Sequence, residues 1–328
     1  MDEGILSTVG NTPLISLTRV FKDNRFRLFA KLEGFNPGGS AKDRSALNIL
    51  KAAMATGEID SGTVIIESTS GNMGVGLAQA CGYLGLRLIC VVDPKTTQQN
   101  IRILKAYGAE IDMVSIPDPK TGEYLQARIN RVQDLLLAIK NSFWPNQYAN
   151  PANAGAHYKT TMREIDVALG GEIDYLFCAT STCGTIRGCA DYVQDYKLRT
   201  KIYAVDAVGS AIFGGRSAKR LIPGHGATRR PELYRPDMAD KYIHVSDLDC
   251  IVGCRRLMRR EAILAGGSSG GVVMAIDRVK PRIPNGATCV AIFPDRGERY
   301  LDTIYSNDWI QEYFGDVSSL WQDDVESK

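Results

Sequence analysis

The residue with the most chemistry to offer is Lys42, inside the run Asn36-Pro37-Gly38-Gly39-Ser40-Ala41-Lys42-Asp43-Arg44. An alternating strand pattern over residues 26–33 enters this Pro/Gly turn, and a helical pattern over residues 45–55 leaves it. A cationic lysine there opposes the positive end of the helix dipole. The conflict vanishes if the amine is neutral, as in a desolvated or imine-bound lysine that acts as base or nucleophile. The plain alternative is a solvated loop lysine. Three further turns put hydroxyls and glycines at helix starts. Thr69-Ser70-Gly71-Asn72, ahead of Met73, suits a carboxylate such as that of an amino acid, or else simple capping or a nucleotide loop. Ser181-Thr182-Cys183-Gly184-Thr185 follows a buried strand pattern and can turn backbone N–H groups and hydroxyls toward a phosphate. Ser and Thr there are also ordinary caps. Gly266-Gly267-Ser268-Ser269-Gly270 opens another helix, and by pattern alone is a capped helix start.

These turns need a scaffold that delivers strand ends to helix starts. Strand-like runs at 63–67, 88–92, 111–114, 175–179, 202–206 and 288–293 alternate with helical patterns. The helical patterns end near 84 and 140, or cover 96–107, 156–169, 186–196, 247–264 and 270–279. Such alternation predicts α/β architecture with parallel sheets and right-handed crossovers. The pattern restarts after Pro151, which divides an N-terminal domain, 1–150, from a C-terminal one, 151–328. Residues 209–235 make a long loop rich in Gly, Arg and Pro, including Arg216, Lys219, Arg220, Arg229 and Arg230. A loop of that length is functional or mobile. The end, 318–328, reads as frayed.

Composition narrows the function classes. The chain has 328 residues, 44% of them apolar, and 39 basic residues nearly cancel 37 acidic ones. No basic stripe points to nucleic acid, and no apolar run reaches membrane-spanning length. Met1 to Gly4 lacks the basic and apolar regions of a signal peptide, so the cytoplasm is expected. The eight cysteines form no C-x-x-C pair and read as reduced core residues. The three histidines are far apart, and no metal site is expected. A dinucleotide reading fails because Gly71-x-x-Gly74-x-Gly76 has the wrong order for that fingerprint.

The run from Asn36 to Arg44 resembles the cofactor-lysine motif of the cysteine synthase and cystathionine β-synthase family, the fold-type II pyridoxal-phosphate (PLP) enzymes. The resemblance implies two three-layer α/β domains with mostly parallel sheets and the cofactor in the cleft between them. Part of the N-terminal segment then crosses to the second domain. It makes Lys42 the catalytic residue that joins PLP, 181–185 the phosphate loop and Ser268 the partner of the pyridine nitrogen, with Ser269 the second choice. Ser181 and Cys183 stand where the family has glycines, so the backbone part of the phosphate role carries over. Thr69, Ser70 and Gly71 inherit the substrate carboxylate, and Asn72 the ring oxygen of the cofactor. Met73 replaces a threonine of that substrate loop. The run Asn146 to Asn153 resembles a stretch in which Gln147 also holds the carboxylate. A hydroxyl at the ring nitrogen implies a weaker electron sink and β-replacement rather than transamination. No N-terminal haem-binding Cys/His segment and no C-terminal regulatory module appear, unlike cystathionine β-synthase itself.

A narrower likeness runs through Pro94-Lys95, Gln99-Asn100, 122–125, 208–214 and 295–302. It points to a branch of the family in siderophore and 2,3-diaminopropionate pathways, which takes O-phospho-L-serine and uses the amine of L-glutamate. The alternative is a cysteine synthase taking an O-activated serine and sulfide. Phosphate and a dicarboxylate both call for cations. Arg128 lies beside the apolar stripe Leu125, Ile129, Val132, Leu136 and Ile139, where a long cation either snorkels or enters the cleft. Tyr148, next to Gln147, faces the nucleophile or serves packing. Small amino-acid substrates and a homodimer are the partners the family implies.

Overall fold

The computed structural model describes residues 4–22 and 25–322. Residues 1–3 of the N-terminal segment and 323–328 of the expected frayed end lie outside them. The chain lays down β1 (Leu14–Ser16), β2 (Arg27–Leu32), α1 (Lys42–Ala55), β3 (Val64–Ser68), α2 (Asn72–Leu84), β4 (Arg87–Val92), α3 (Gln98–Ala106), β5 (Glu110–Met113), α4 (Tyr124–Ala138) and β6 (Ser142–Phe143). Then come α5 (Pro151–Ala156), a π-helical stretch (His157–Met162), α6 (Arg163–Leu169), β7 (Tyr175–Ala179), α7 (Gly184–Asp195) and β8 (Lys201–Ala207). β9 (Lys241–Val245), α8 (Asp247–Glu261), α9 (Gly267–Val279), β10 (Thr288–Phe293), α10 (Asn307–Phe314) and α11 (Ser319–Gln322) complete it.

One sheet has the order β5-β4-β3-β6 and is parallel throughout. The other has the order β1-β2-β10-β7-β8-β9, with only β1 antiparallel to its neighbour. β2, with β1 on its outer side, thus pairs with β10 from the second half of the chain. Helices cover both faces of each sheet, so the strands read as apolar runs rather than alternating ones. β10 shows it. Cys289, Ala291 and Phe293 join Val272, Ile276 and Leu257 of α9 and α8, whereas Val290 and Ile292 join Ile186 and Cys189 of α7. In β3, Ile65 meets the α1–α2 core and Val64 and Ile66 meet Val132 and Leu135 of α4. Burying each such side chain contributes roughly 1.5–3 kcal/mol. α8 and α9 touch backbone to backbone: a Cβ on Gly253 would sit 2.1 Å from the Gly270 carbonyl oxygen.

Several elements depart from the sequence expectation. β9 lies just past the 209–235 loop, where no strand was expected. It pairs only with β8, at the sheet edge, and Lys241 and His244 interrupt its apolar pattern. The helix expected from 156 begins at Pro151, a residue suited to the first helical turn, and Asn150 caps it by accepting from the Ala152 N–H at 2.9 Å. α9 starts at Gly267, which puts Ser268 in its first turn. β1, β6 and α10 were not foreseen; the two strands have only three and two residues.

A buried charge cluster fixes α1. Arg44 donates from Nε and Nη2 to both oxygens of Glu33, at 2.6 and 2.8 Å. It also donates from Nη1 and Nη2 to Glu164 of α6, at 2.5 and 2.7 Å. Lys31 reaches Glu164 at 2.6 Å. The Arg44 and Glu33 side chains are 1% and 0% exposed. Burial alone pushes the Glu33 carboxyl up, but Arg44 reverses this and holds it below its usual range. Arg44→Met leaves that carboxylate buried without its partner. Chemical denaturation should show a loss of about 3–5 kcal/mol near neutral pH. A carboxyl with a depressed folded pKa gives stability above its unfolded pKa and loses it as pH falls through the folded one. The gap between parent and variant should therefore narrow in acid, below the ordinary glutamate range.

Candidate active site

The Pro/Gly turn before α1 is held against the end of β10. Ala41 N–H donates to the Pro294 carbonyl at 2.8 Å, and Ser40 bridges Asp295. Gly38 N–H donates to Asp43 at 2.6 Å, and a Cβ on Gly38 would come within 2.6 Å of the same carboxylate. Gly39 has φ +88°, a conformation that suits glycine. Lys42 follows as the first residue of α1. Among the described residues its amine has no hydrogen-bond or ion-pair partner. Desolvation lowers its pKa, opposed by the charge of Asp295. Lys42 lines a cavity with Ser181, Thr182, Cys183, Gly184, Thr185, Gly224, Ser268 and Pro294. That cavity lies at the carboxyl ends of β7 and β10, where open α/β sheets bind ligands.

The 181–185 loop has the donors an anion needs. The backbone N–H groups of Cys183, Thr185 and Ile186, at the start of α7, find no acceptor among the described residues. Cys183 has φ +66°, the left-handed conformation for which glycine is the natural occupant, and its side chain is buried. Ser181 does not reach across the cavity; its hydroxyl donates to the Gly226 carbonyl at 3.2 Å and ties the long loop to this turn. Asn153 donates to the Thr182 hydroxyl at 3.3 Å and to the Gln147 carbonyl at 2.7 Å. The sequence pattern alone assigns Asn153 no role. Thr185 Oγ1 lies 3.2 Å from Nε2 of His157, a residue considered from sequence only as an improbable metal ligand. Of the two serines in α9, Ser268 lines the cavity, whereas the Ser269 hydroxyl is buried away from it without a partner.

Asn72 opens α2 and is clamped. Its Nδ2 donates to Asp295 at 2.8 Å, and Arg299 donates to its Oδ1 and, at 2.6 Å, to the Gly38 carbonyl. Tyr300 donates to the same Asp295 oxygen at 2.5 Å. One Asn72 N–H remains. Burial raises the Asp295 carboxyl and pushes Asp43 up to about 7. Asp295, Arg299 and Tyr300 lie in a run whose pattern was noticed, but nothing in that pattern reveals a contact 223 residues away. Thr69 accepts from the Gly74 N–H at 3.0 Å, and the Ser70 carbonyl accepts from Asn100 at 2.9 Å. Met73 ends that turn without offering its side chain to solvent. Its side chain is 2% exposed and packs in the α1–α2 core, because the first turn of α2 points it inward.

Gln147, Tyr148 and Arg128 share a second polar neighbourhood. Gln147 N–H donates to Glu67 at 3.4 Å, and Trp144 Nε1 donates to the other Glu67 oxygen at 3.2 Å. Burial pushes the Glu67 carboxyl up to about 7. Burial also raises the Tyr148 phenol, with Arg128, Glu67, Arg229 and Arg220 acting on it electrostatically. Arg128 Nε is 3.3 Å from Asp93, near enough for an ion pair but not aligned for a hydrogen bond. Its Nε and Nη1 are buried with no hydrogen-bond acceptor. All eight cysteines are free and buried, and the described residues hold no cluster that suits a metal.

Pyridoxal phosphate asks for an amine that is easily deprotonated, free donors for its phosphate and a hydroxyl for a weakly basic ring nitrogen. A desolvated Lys42, the open N–H groups of the 183–186 turn and Ser268 fit that demand within one cavity. Comparison with known proteins agrees. The family described as pyridoxal-phosphate dependent enzyme matches residues 5–295. The chain is 45% identical over 308 residues, 94% of its length and 91% of the relative's, to N-(2-amino-2-carboxyethyl)-L-glutamate synthase of Ralstonia nicotianae. It superposes on O-acetylserine dependent cystathionine β-synthase from Helicobacter pylori with TM-score 0.86 and 31% identity, covering 92% of this chain and 98% of that one. For O-acetyl serine sulfhydrylase isoform 3 from Entamoeba histolytica the values are 0.86, 32%, 93% and 92%. With its parallel sheets and its lysine-lined cavity, the chain belongs to the pyridoxal-phosphate dependent enzyme family, in its fold-type II, cysteine synthase-like branch.

Proposed function

We propose that the protein joins O-phospho-L-serine and L-glutamate by β-replacement, giving N-(2-amino-2-carboxyethyl)-L-glutamate and phosphate. The observation that carries this reading is the near full-length match to a synthase of that name, at 45% identity. The polar neighbourhood of Arg128 supports it. A guanidinium whose Nε and Nη1 are buried without a hydrogen-bond acceptor, with only the Asp93 ion pair beside Nε, suits an incoming carboxylate or phosphate, whereas sulfide needs no cation. Bound PLP withdraws electrons from Cα of an amino acid, easing loss of the Cα proton and of a group on Cβ.

The chain's own residues then divide the work. Thr69, Ser70, Gly71 and Gln147 hold the α-carboxylate of the first substrate, and Asn72 offers its remaining N–H to the cofactor ring oxygen. The 181–185 loop holds the cofactor phosphate, and Ser268 meets the ring nitrogen. Lys42, whose pKa desolvation lowers, takes the Cα proton and later returns it. Arg128 and Tyr148 line the place of the second substrate, and Ser181 shapes the cavity by fastening the long loop. On the same reading, residues 1–150 and 151–328 are two domains flanking the cofactor, and the enzyme works as a cytoplasmic homodimer. Its product is a precursor of 2,3-diaminopropionate, as in siderophore assembly.

Borohydride reduction of the holoenzyme should fix PLP to the peptide containing Lys42. Lys42→Ala should lose both that attachment and turnover. Normal activity in that variant without added amine removes Lys42 from the mechanism.

A product assay should show the glutamate adduct and inorganic phosphate from O-phosphoserine plus glutamate, with sulfide a poor second substrate. The rival reading rests on solved relatives such as the Entamoeba sulfhydrylase. It takes over if sulfide is used far better. Arg128→Ala should lower kcat/KM for a charged substrate about tenfold to somewhat over a hundredfold, the effect of losing a charge-assisted hydrogen bond worth about 1.5–3 kcal/mol. Sulfide capture should barely change. Equal kinetics of parent and variant with both charged substrates would make Arg128 a structural residue.

A further inference from the structure

His157 is fully buried at the start of the π-helical stretch between α5 and α6. Such one-turn widenings of a helix are frequent beside functional sites. Its Nδ1 lies 2.8 Å from Thr161 Oγ1. Its Nε2 lies 3.2 Å from Thr185 Oγ1 and 3.3 Å from Ser45 Oγ. Ser45 stands three residues after Lys42 on α1, and Thr185 is in the cavity-lining turn of α7. The ring therefore links the lysine helix to the 181–185 loop. Among the described residues, the three hydroxyls have no other hydrogen-bond partner. Burial lowers the pKa of the ring well below its usual value, helped by Lys42 and Arg44 and opposed by Glu164, so the imidazole is neutral.

A neutral imidazole has one N–H donor and one acceptor nitrogen. A phosphate dianion only accepts, and a threonine hydroxyl has a single hydrogen. If Nε2 accepted from Thr185, that hydrogen would be spent on the ring. If Nε2 carries the proton, the ring donates to the Thr185 oxygen, the Thr161 hydroxyl donates to Nδ1, and the Thr185 hydrogen is free. We propose that His157 is a positioning residue for the cofactor phosphate: Thr161 holds it as the Nε2–H tautomer, and it donates to Thr185, aiming that hydroxyl at the phosphate. The inference rests on the reading that the 181–185 loop holds the phosphate. The near-equal distance to Ser45 shares the same N–H with α1, so phosphate grip and the lysine helix are registered to each other through one ring.

The test is a double-mutant cycle on PLP dissociation from the holoenzyme, measured by equilibrium ultrafiltration. Thr185→Val should weaken PLP binding about tenfold, the effect of one lost hydrogen bond to a charged group. His157→Leu should weaken it comparably, and the double variant should be little weaker than Thr185→Val alone, because His157 acts through Thr185. His157→Gln, whose amide N–H can donate to Thr185, should recover most of the loss. Thr161→Val touches no cofactor atom and should still weaken binding severalfold. In nitrogen-15 spectra of the parent holoenzyme the ring should be the neutral Nε2–H tautomer, a reading that needs no variant to fold. Additive losses in the cycle, or an Nδ1–H tautomer, overturn the proposal while leaving the phosphate assignment intact. Unchanged affinity in Thr185→Val removes the phosphate assignment and the proposal with it.

Discussion

The guanidinium of Arg44, closed between Glu33 and Glu164, is the interaction on which the site depends. Two residues along a helix are roughly 200° apart around its axis. Anchoring Arg44 on one side of α1 therefore directs Lys42 to the other, toward the cavity. Glu33 follows β2 directly and Glu164 belongs to α6, so the anchor joins the six-stranded sheet, α1 and a helix from the second half of the chain. Buried charge clusters of this kind are weak sources of net stability, and their value lies in geometry, because any other arrangement strands a charge. β2 adds a second constraint. It pairs with β10 in parallel, and the end of β10 supplies the Pro294 carbonyl and Asp295 that hold the lysine turn. One strand pair and one guanidinium thus fix both ends of the segment carrying the lysine.

Around this frame the ionisable groups share one trend. Burial lowers Lys42 and raises Asp43, Glu67 and Asp295, in each case favouring the neutral form. Burial thus moves each of these groups toward its neutral form, which lessens the fixed charge that an incoming charged cofactor or amino acid would meet. The polar atoms that remain are tied to one another. Asn72 is held from both sides by Asp295 and Arg299, and Asn153 joins the Gln147 segment to Thr182. A Cβ on Gly184 would fall 2.2 Å from the Asn153 side chain, so glycine there is what lets the two segments meet. Segments from distant parts of the chain are thus tied to one another by direct hydrogen bonds, the kind of arrangement that saves reorganisation during a reaction.

The parallel α/β frame was legible because β3, β7 and β10 are short apolar runs closed by Gly, Ser or Thr turns, and because helical periodicity separates them. Lys42 and the hydroxyl turns were legible because strand-to-helix junctions are where such chemistry is placed. β9 was not, since an edge strand needs only one paired side and tolerates Lys241 and His244. The clamp on Asn72 was not, since Asp295 and Arg299 meet it from more than 220 residues away. Met73 shows that a residue within a polar motif can still send its side chain into the core once the helix begins. His157 was invisible as anything but a lone histidine, because its surroundings are one hydroxyl of its own helical stretch and two brought to it by α1 and α7.

The cysteines carry a practical consequence. Burial raises the thiol pKa of all eight, including Cys178 and Cys183 in the wall of the cavity. The thiolate is the reactive form, so burial and a raised pKa both slow attack by alkylating reagents and mild oxidants on the native chain. Each thiol belongs to a packed element, and only opening of that element exposes it. Reactivity toward a thiol dye therefore becomes a clock for local opening, with Cys81 and Cys90 reporting on the four-stranded half and Cys250, Cys254 and Cys289 on the other.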